Sequence, residues 1–208
     1  MLGALAAEPD PPTTARAPER ALEVHLADSL TGLEIEPLAR AESVADVGAG
    51  AGFPGLALAV AMPDARFDLI EASSRKCDVI DRLARAAAVT NARSVPVRAE
   101  AWAAREGAGA YGAVTARALA PLAVLVEYAA PLLREGGILT AWKGARDGCE
   151  EERGAAAAAQ VGLDLDEVRR VVPFVGAHNR HLHVYKKVRR TPARFPRRVG
   201  VARKRSLG

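Results

Sequence analysis

Two rhythms alternate along the chain. Short apolar runs at 43–47, 66–71, 94–98, 111–116 and 138–142 have the length and β-branched content of buried strands. Between and after them, 54–61, 74–89, 121–133 and 147–160 carry the three-to-four-residue spacing of helices. In the second of these, Cys77, Ile80, Leu83, Ala84 and Ala87 form one inner face, with Asp78–Arg82 and Asp81–Arg85 as i,i+4 pairs on the outer face. Two longer runs, 163–174 and 181–188, predict antiparallel strands that close the sheet. Ahead of the first strand, Leu22, His25, Leu26 and Leu30 lie on one helical face, and 36–40 adds a short turn of helix. Residues 1–17, rich in Ala, Pro and Thr, predict little order, and Pro and Arg dominate from Arg189 onward, where no packed core is expected. The expected organisation is a loose N-terminus at 1–17, one domain at 18–188 and a basic tail at 189–208.

Alternating strands and helices predict an α/β domain: a doubly wound, mostly parallel seven-stranded sheet with a helical N-terminal appendage. Its most informative stretch is Val44-Ala45-Asp46-Val47-Gly48-Ala49-Gly50-Ala51-Gly52-Phe53-Pro54-Gly55. An apolar strand, a glycine-rich turn and a helix open a nucleotide-binding unit. Glycines let the backbone close on a ligand, and Pro54 suits a helix's first turn. Gly50, Gly52 and Gly55 fit the dinucleotide spacing G-x-G-x-x-G, whereas Asp46, Gly48 and Gly50 fit the D-x-G-x-G of S-adenosylmethionine enzymes. Register favours the second, because the first glycine after the strand is Gly48 and its dinucleotide frame would require glycine where Phe53 stands. Asp46 is then expected to hold the amino group of a methionine moiety, directly or through water. Glu71, about 20 residues beyond the loop at the end of the second strand, is expected on the ribose hydroxyls.

Composition narrows the classes further. No apolar run approaches the length of a membrane span, no secretory leader is visible, and two distant cysteines fit no metal spacing, so a reducing cytoplasm is expected. The net charge of +4 conceals ten Lys or Arg and no acid within 186–205, the pattern either of a tail that meets nucleic acid or of a solubilising, disordered end. His178, His181 and His183 lack the paired cysteines or carboxylates of a metal site, and none is expected.

The residues also resemble a known family. His25-Leu26-Ala27-Asp28-Ser29 followed by Asp46-Val47-Gly48-Ala49-Gly50-Ala51-Gly52-Phe53-Pro54-Gly55 resembles the paired signatures of the 16S ribosomal RNA guanine-N7 methyltransferases (RsmG, also called GidB). Glu71-Ala72-Ser73, Arg98-Ala99-Glu100, Thr115-Ala116-Arg117-Ala118, Trp142-Lys143-Gly144 and Arg180-His181-Leu182 resemble further family elements, and together they span about 16–198. The resemblance implies a Rossmann-like class I fold and methyl transfer from S-adenosylmethionine to N7 of one guanine, position 527 in the 530 loop of small-subunit rRNA. It implies that Gly48, Gly50, Glu71, Ala99, Glu100 and Arg117 line the cofactor site, with Phe53 and Pro54 shaping its floor. Asp46 and Gly52, read from the loop itself, are expected beside them. Arg98, Arg117 and Lys143 are implied to face the RNA or the reacting base. The expected partner is 16S rRNA or the small ribosomal subunit, with no membrane, and a monomer is the default. The chain departs from the family in lacking an N-L-T element near Thr13-Thr14-Ala15-Arg16 and in having Val24 where Arg is expected.

The side-chain chemistry agrees with an N7 acceptor. That nitrogen carries a lone pair and no proton at neutral pH, so its methylation needs alignment rather than a general base. There is no N-P-P-Y box for an amino acceptor, and Cys77 sits on a helix face rather than in a nucleophile loop. His25, between Leu22 and Leu26, is expected to be a packed, hydrogen-bonded histidine. Two other readings stand beside this one: a nicotinamide-dependent oxidoreductase using Gly50, Gly52 and Gly55, and a non-catalytic RNA-binding relic of the fold.

Overall fold

The computed structural model describes residues 1–8, 11–13 and 17–208. Seven strands form one sheet in the order β3-β2-β1-β4-β5-β7-β6: β1 (Ser43–Val47), β2 (Arg66–Ile70), β3 (Ala92–Val95), β4 (Tyr111–Arg117), β5 (Leu133–Lys143), β6 (Leu163–Arg170) and β7 (His181–Lys187). The first five are parallel, and β7 pairs antiparallel with both β5 and β6. Alternation along each strand divides the core between two faces. Val44, Ala113, Ile138 and Val184 join one apolar cluster; Ala45, Val114, Leu139 and Tyr185, each one residue on, join the other.

Helices cover both faces. α5 (Gly55–Ala61) and α6 (Ser74–Ala86) pack on the first, and α8 (Leu122–Ala129) with α9 (Gly148–Val161) on the second. α7 (Ala99–Ala103) follows β3. On α6, Cys77, Val79, Ile80, Leu83 and Ala84 are buried, and Cys77 donates from Sγ to Glu71 O at 3.4 Å. Cutting a fully buried leucine such as Leu83 to alanine costs about 2–5 kcal/mol. The predicted Asp78–Arg82 pair yields to another: Arg82 grips Glu8 through two bonds of 2.8 and 2.7 Å.

The strand order reverses between β1 and β4, so the loops after β1 and β4 diverge and leave a crevice at the carboxyl edge of the sheet. The connections after β1, β2, β4 and β5 all emerge there. Because His181 pairs with Lys143, the β6–β7 turn reaches the same edge.

Both chain ends differ from expectation. α1 (Leu2–Ala6) is a helix whose Leu5 is buried against the α6 side, so residues 1–8 are ordered rather than loose. Pro9, Asp10 and Thr14 to Arg16, including most of the stretch standing where N-L-T would fall, lie outside the described residues. The tail is docked as well: Phe195 and Ala202 are buried, and α10 (Val201–Lys204) contacts α8. Only half of the predicted face ahead of β1 is buried: His25 is enclosed and hydrogen-bonded as expected and Leu26 packs against the core, but Leu22 and Leu30 do not. α2 (Pro18–Ala21) passes into a π-helical stretch, Leu22–Ala27, then α3 (Asp28–Leu30), a 3-10 turn (Thr31–Glu34) and α4 (Glu36–Ala39). Leu22 and Leu30 are exposed, while His25, Asp28 and Ser29 are buried. The wider winding turns the polar residues toward the crevice, a role in which π-helical segments recur.

Candidate active site

The glycine loop is built by necessity rather than by preference. Gly48, Gly50 and Gly52 have φ of 70°, 59° and 92°, a region that side chains strain to enter. A Cβ on Gly48 would meet Leu119 at 2.5 Å, and one on Gly52 would meet Leu56 at 2.6 Å. A Cβ on Gly50 would meet only Gly48 O, at 3.8 Å, and would otherwise point into open space. The carboxylate of Glu71 fixes the loop from below, accepting from Gly50 N at 3.1 Å and from Ser73 N at 2.9 Å.

A cavity of about 870 Å³ opens above this loop. Gly48, Gly50, Phe53, Glu71, Arg98, Ala99, Glu100, Arg117 and Lys143, all expected at the site, line it. Asp46 and Gly52 do not. Asp46 lies beneath the loop, 1% exposed, accepting from Gly55 N at 3.0 Å and from the Thr115 hydroxyl at 2.8 Å. It staples β1 to the start of α5 and to β4 instead of meeting a ligand amine. Burial raises its pKa to about 6 against the opposing effect of those two hydrogen bonds and of Arg117. Gly52 shapes the turn over Leu56. Pro54 caps α5 and does not line the cavity.

Arg117, at the end of β4, is clamped by the segment ahead of β1. One terminal nitrogen donates to Val24 O at 2.8 Å, Asp28 Oδ2 at 3.0 Å and Ser29 Oγ at 3.2 Å. The side chains of Arg117 and Asp28 are only 14% and 8% exposed, so the pair is largely desolvated and its geometry is well specified. Trp142 supports it from behind, its Nε1 donating to Asp28 O at 2.9 Å. His25 stacks on Phe53 with ring centroids 4.8 Å apart and shares a 2.8 Å hydrogen bond with Thr13 Oγ1. Burial, assisted by the Arg117 charge, lowers its pKa to about 4, so the imidazole is neutral at pH 7.

The remaining polar groups are cations and occupied acids. Lys143 lies 2.6 Å from Glu150 Oε1 at the cavity edge. Glu100 accepts from Gly200 N at 2.8 Å. Arg98 lines the cavity; its carbonyl accepts from Trp102 N at 3.0 Å, and its side chain makes no hydrogen bond among the described residues. Among the lining residues not expected at the site are Lys76, Tyr128, Arg180, which lies 3.5 Å from Asp28 Oδ1, and Arg203 in the tail. The positions of the last three depend on contacts far along the chain. The cavity is thus lined by Lys76, Arg98, Arg117, Lys143, Arg180 and Arg203 together with acids that already accept hydrogen bonds.

A doubly wound sheet with this order, a glycine loop after β1 and an acid closing β2 define the class I methyltransferases. A solved structure from Burkholderia thailandensis, a 1,6-didemethyltoxoflavin-N1-methyltransferase with bound 1,6-didemethyltoxoflavin and S-adenosylhomocysteine, has the same fold, with a TM-score of 0.55 at 14% identity over 78% of this chain and 77% of that one. Within this class the chain belongs to the family described as rRNA small subunit methyltransferase G (GidB), whose model matches residues 13–183. Relatives called ribosomal RNA small subunit methyltransferase G include one from Rubrobacter xylanophilus, 43% identical over 92% of this chain and 75% of its own length. Another, from Pelotomaculum thermopropionicum, is 37% identical over 93% of this chain and 82% of its own. The nicotinamide and relic readings find no support in these comparisons. No helix among the described residues is long and apolar enough to cross a membrane.

Proposed function

We propose that this chain methylates N7 of guanine 527 in the 530 loop of 16S rRNA, using S-adenosylmethionine. The observation that carries the proposal is a cavity rich in cations in which every lining acid or histidine is already engaged. Glu71 is taken by Gly50 and Ser73, Glu100 by Gly200, and Asp28 by Arg117. His25 is stacked and held near a pKa of 4. Such a site does not abstract a proton well at neutral pH, and N7 of guanine requires no abstraction.

The residues also fit the cofactor. The open space above Gly50 is what a Cβ would fill, and Glu71 retains lone pairs for ribose hydroxyls while it holds the loop. S-adenosylmethionine supplies an electrophilic methyl group on a sulfonium. Gly48 and Gly50 let the backbone approach it, Ala99 and Glu100 wall the site, and Phe53 excludes water from the floor. Arg117, oriented by Asp28 and Ser29, keeps a second terminal nitrogen for the guanine O6 edge or a phosphate, a contact to which a guanidinium is suited. Arg98 and Lys143 position the RNA. Positive charge does not accelerate transfer of a methyl cation, so these three residues act by alignment.

The test uses small-subunit particles lacking the modification and S-adenosylmethionine labelled in its methyl group. The expected outcome is label on a single 530-loop guanine, with strand scission after reduction and aniline treatment marking N7. Label on another base or another ring atom, or none while the cofactor binds, would refute the assignment.

A further inference from the structure

The C-terminal arm lies outside the residues matched by the family model, which end at 183. Its course is fixed by hydrogen bonds along α8. At the foot of the sheet, Lys187 Nζ donates to Ala130 O at 2.5 Å and Leu133 O at 2.7 Å, and Thr191 Oγ1 donates to Ala130 O at 3.0 Å. Midway, Arg197 grips the buried Glu127, with Nε at 2.6 Å. At the top, Gly200 N reaches Glu100, and Arg203 donates to Leu119 O at 3.3 Å while lining the cavity. The arm therefore climbs α8 in reverse, passes the rim of the active site between Gly200 and Arg203, and then folds back, with Arg205 O accepting from Arg197 at 2.8 Å and Gly208 lying against the Arg153 backbone of α9.

Its charges sort by height. Of the ten Lys and Arg in 186–205, Lys187 and Arg197 turn inward as anchors. Lys186, Arg189 and Arg190 are exposed at the foot, and Arg194 lies over the Phe195 ring. Arg198, Arg203, Lys204 and Arg205 are exposed within five residues of Gly200, and 186–208 contains no acid. The bond from half-buried Arg197 to buried Glu127, together with buried Phe195, holds this upper group in place, so it is a presented surface rather than a loose charged end.

We infer that the upper arm is a phosphate-binding surface for the substrate RNA, with Arg203 as a positioning residue that joins it to the cavity. This rests on the proposed rRNA substrate. Exposed guanidinium groups fixed at a cavity rim, continuous with Arg98, suit a strand whose one base enters the cavity and whose flanking phosphates stay outside. Uniform positive charge without interleaved acid suits a polyanion, and the location confines the effect to one end of the arm.

The experiment compares two triple variants of equal charge loss in the full chain. Arg198→Gln, Lys204→Gln and Arg205→Gln remove the upper group; Lys186→Gln, Arg189→Gln and Arg190→Gln remove the lower one. Methyl transfer to unmodified small-subunit particles gives KM and kcat, and binding to unmodified 16S rRNA is followed against KCl. The upper variant is expected to raise KM about tenfold and to flatten the slope of log affinity against log salt by about 2, since each lost phosphate contact removes about 0.7–0.9. S-adenosylmethionine affinity and melting temperature stay as in the parent. The lower variant is expected to stay within about twofold of the parent. Equal losses from both triples, or no loss from the upper one, would overturn the inference while parental methyl transfer keeps the proposed reaction intact. A parent that transfers no methyl but binds 16S rRNA through the upper group would overturn the reaction and leave the arm's role standing. Arg198→Gln alone carries the same test at about a third of the slope change.

Discussion

Asp46 and His25 oppose each other in pH, and the opposition is measurable. Asp46 is fully enclosed, and burial moves its carboxyl from 3.8 to about 6. The unfolded chain releases this proton near 3.8 while the folded chain keeps it to about 6. The stability contributed by the protonated group is complete below the lower value and lost as pH rises through the higher one, amounting to roughly 3 kcal/mol. His25 moves the other way, from 6.5 to about 4, mainly by burial. Its contribution, again roughly 3 kcal/mol, is complete above 6.5 and lost as pH falls through about 4. Across about pH 4–6 the two slopes run against each other. Asp46→Asn isolates them: an asparagine carbonyl can accept from Gly55 N while its amide donates to the Thr115 hydroxyl, so both hydrogen bonds survive without a buried charge. Urea unfolding at pH 4.5, 6 and 7.5 should show the variant close to the parent at the lowest pH and more stable by up to about 3 kcal/mol at the highest. A flat difference between the two proteins, or a variant less stable at pH 7.5 by more than about 1 kcal/mol, would refute this account of the staple. Cofactor titration adds a second check. With Asp46 off the cavity surface, S-adenosylmethionine affinity should change by no more than about threefold; a loss of tenfold, about 1.4 kcal/mol, would make the carboxylate a ligand after all.

The other expectations concern the loop, the clamp and the arm. Gly50→Ala should cost about 1–2 kcal/mol for its left-handed φ, yet weaken calorimetric cofactor binding about tenfold because the new methyl lodges in the cavity. Arg117→Lys keeps the charge and one nitrogen for Val24, Asp28 and Ser29 but loses the second terminal nitrogen directed at the base or phosphate, so methyl transfer should fall about a hundredfold. A double-mutant cycle with Asp28→Asn should give a coupling of about 1–3 kcal/mol, and additivity would argue against the clamp. Glu127→Gln should loosen the arm, lowering stability by about 1–3 kcal/mol and exposing the bonds after Arg197 to trypsin; unchanged cleavage would mean the arm is held elsewhere.

Much of the architecture was readable because it is local. Val44 to Val47 alternates between the two core faces and runs straight into glycines that only a tight turn explains, so β1, the loop and α5 follow from neighbours in sequence. The same holds for β4, whose apolar run ends on Arg117. Where a charged side chain replaces an apolar one on a buried face, pattern counting fails. In the segment ahead of β1 the spacing of Leu22, His25, Leu26 and Leu30 predicts one inner face, but the partners there are Phe53, Trp142 and Arg117, and the last of these engages Asp28 and Ser29 rather than any leucine. Nothing near His25 in sequence announces an arginine about ninety residues downstream.

For Asp46 and the arm, a usable signal was nevertheless present. Residues two apart on a strand share a face, so Asp46 must point with Val44 toward α5 and away from the side reached by Ala45 and Val47. The structure has this arrangement, with Val44 in the cluster beneath α5 and Asp46 bonded to Gly55 at that helix's start. Face alone does not exclude a ligand, since Glu71 and Arg117 share it and reach the cavity from the strand ends; Asp46 is held off the cavity because it lies within β1, enclosed by its bonds to Gly55 N and the Thr115 hydroxyl. In α8, Glu127 is the only charged residue among eight buried ones, and a carboxylate so placed needs a cation delivered to it. The unpaired cations in the sequence are concentrated after Lys186, so a docked tail followed from the burial of Glu127. Reading charged residues by the face they occupy and by their distance from the strand end, as well as by the segment they belong to, separates the enclosed Asp46 from the cavity-lining Glu71 and Arg117 and marks Glu127 as a buried acid in need of a cation.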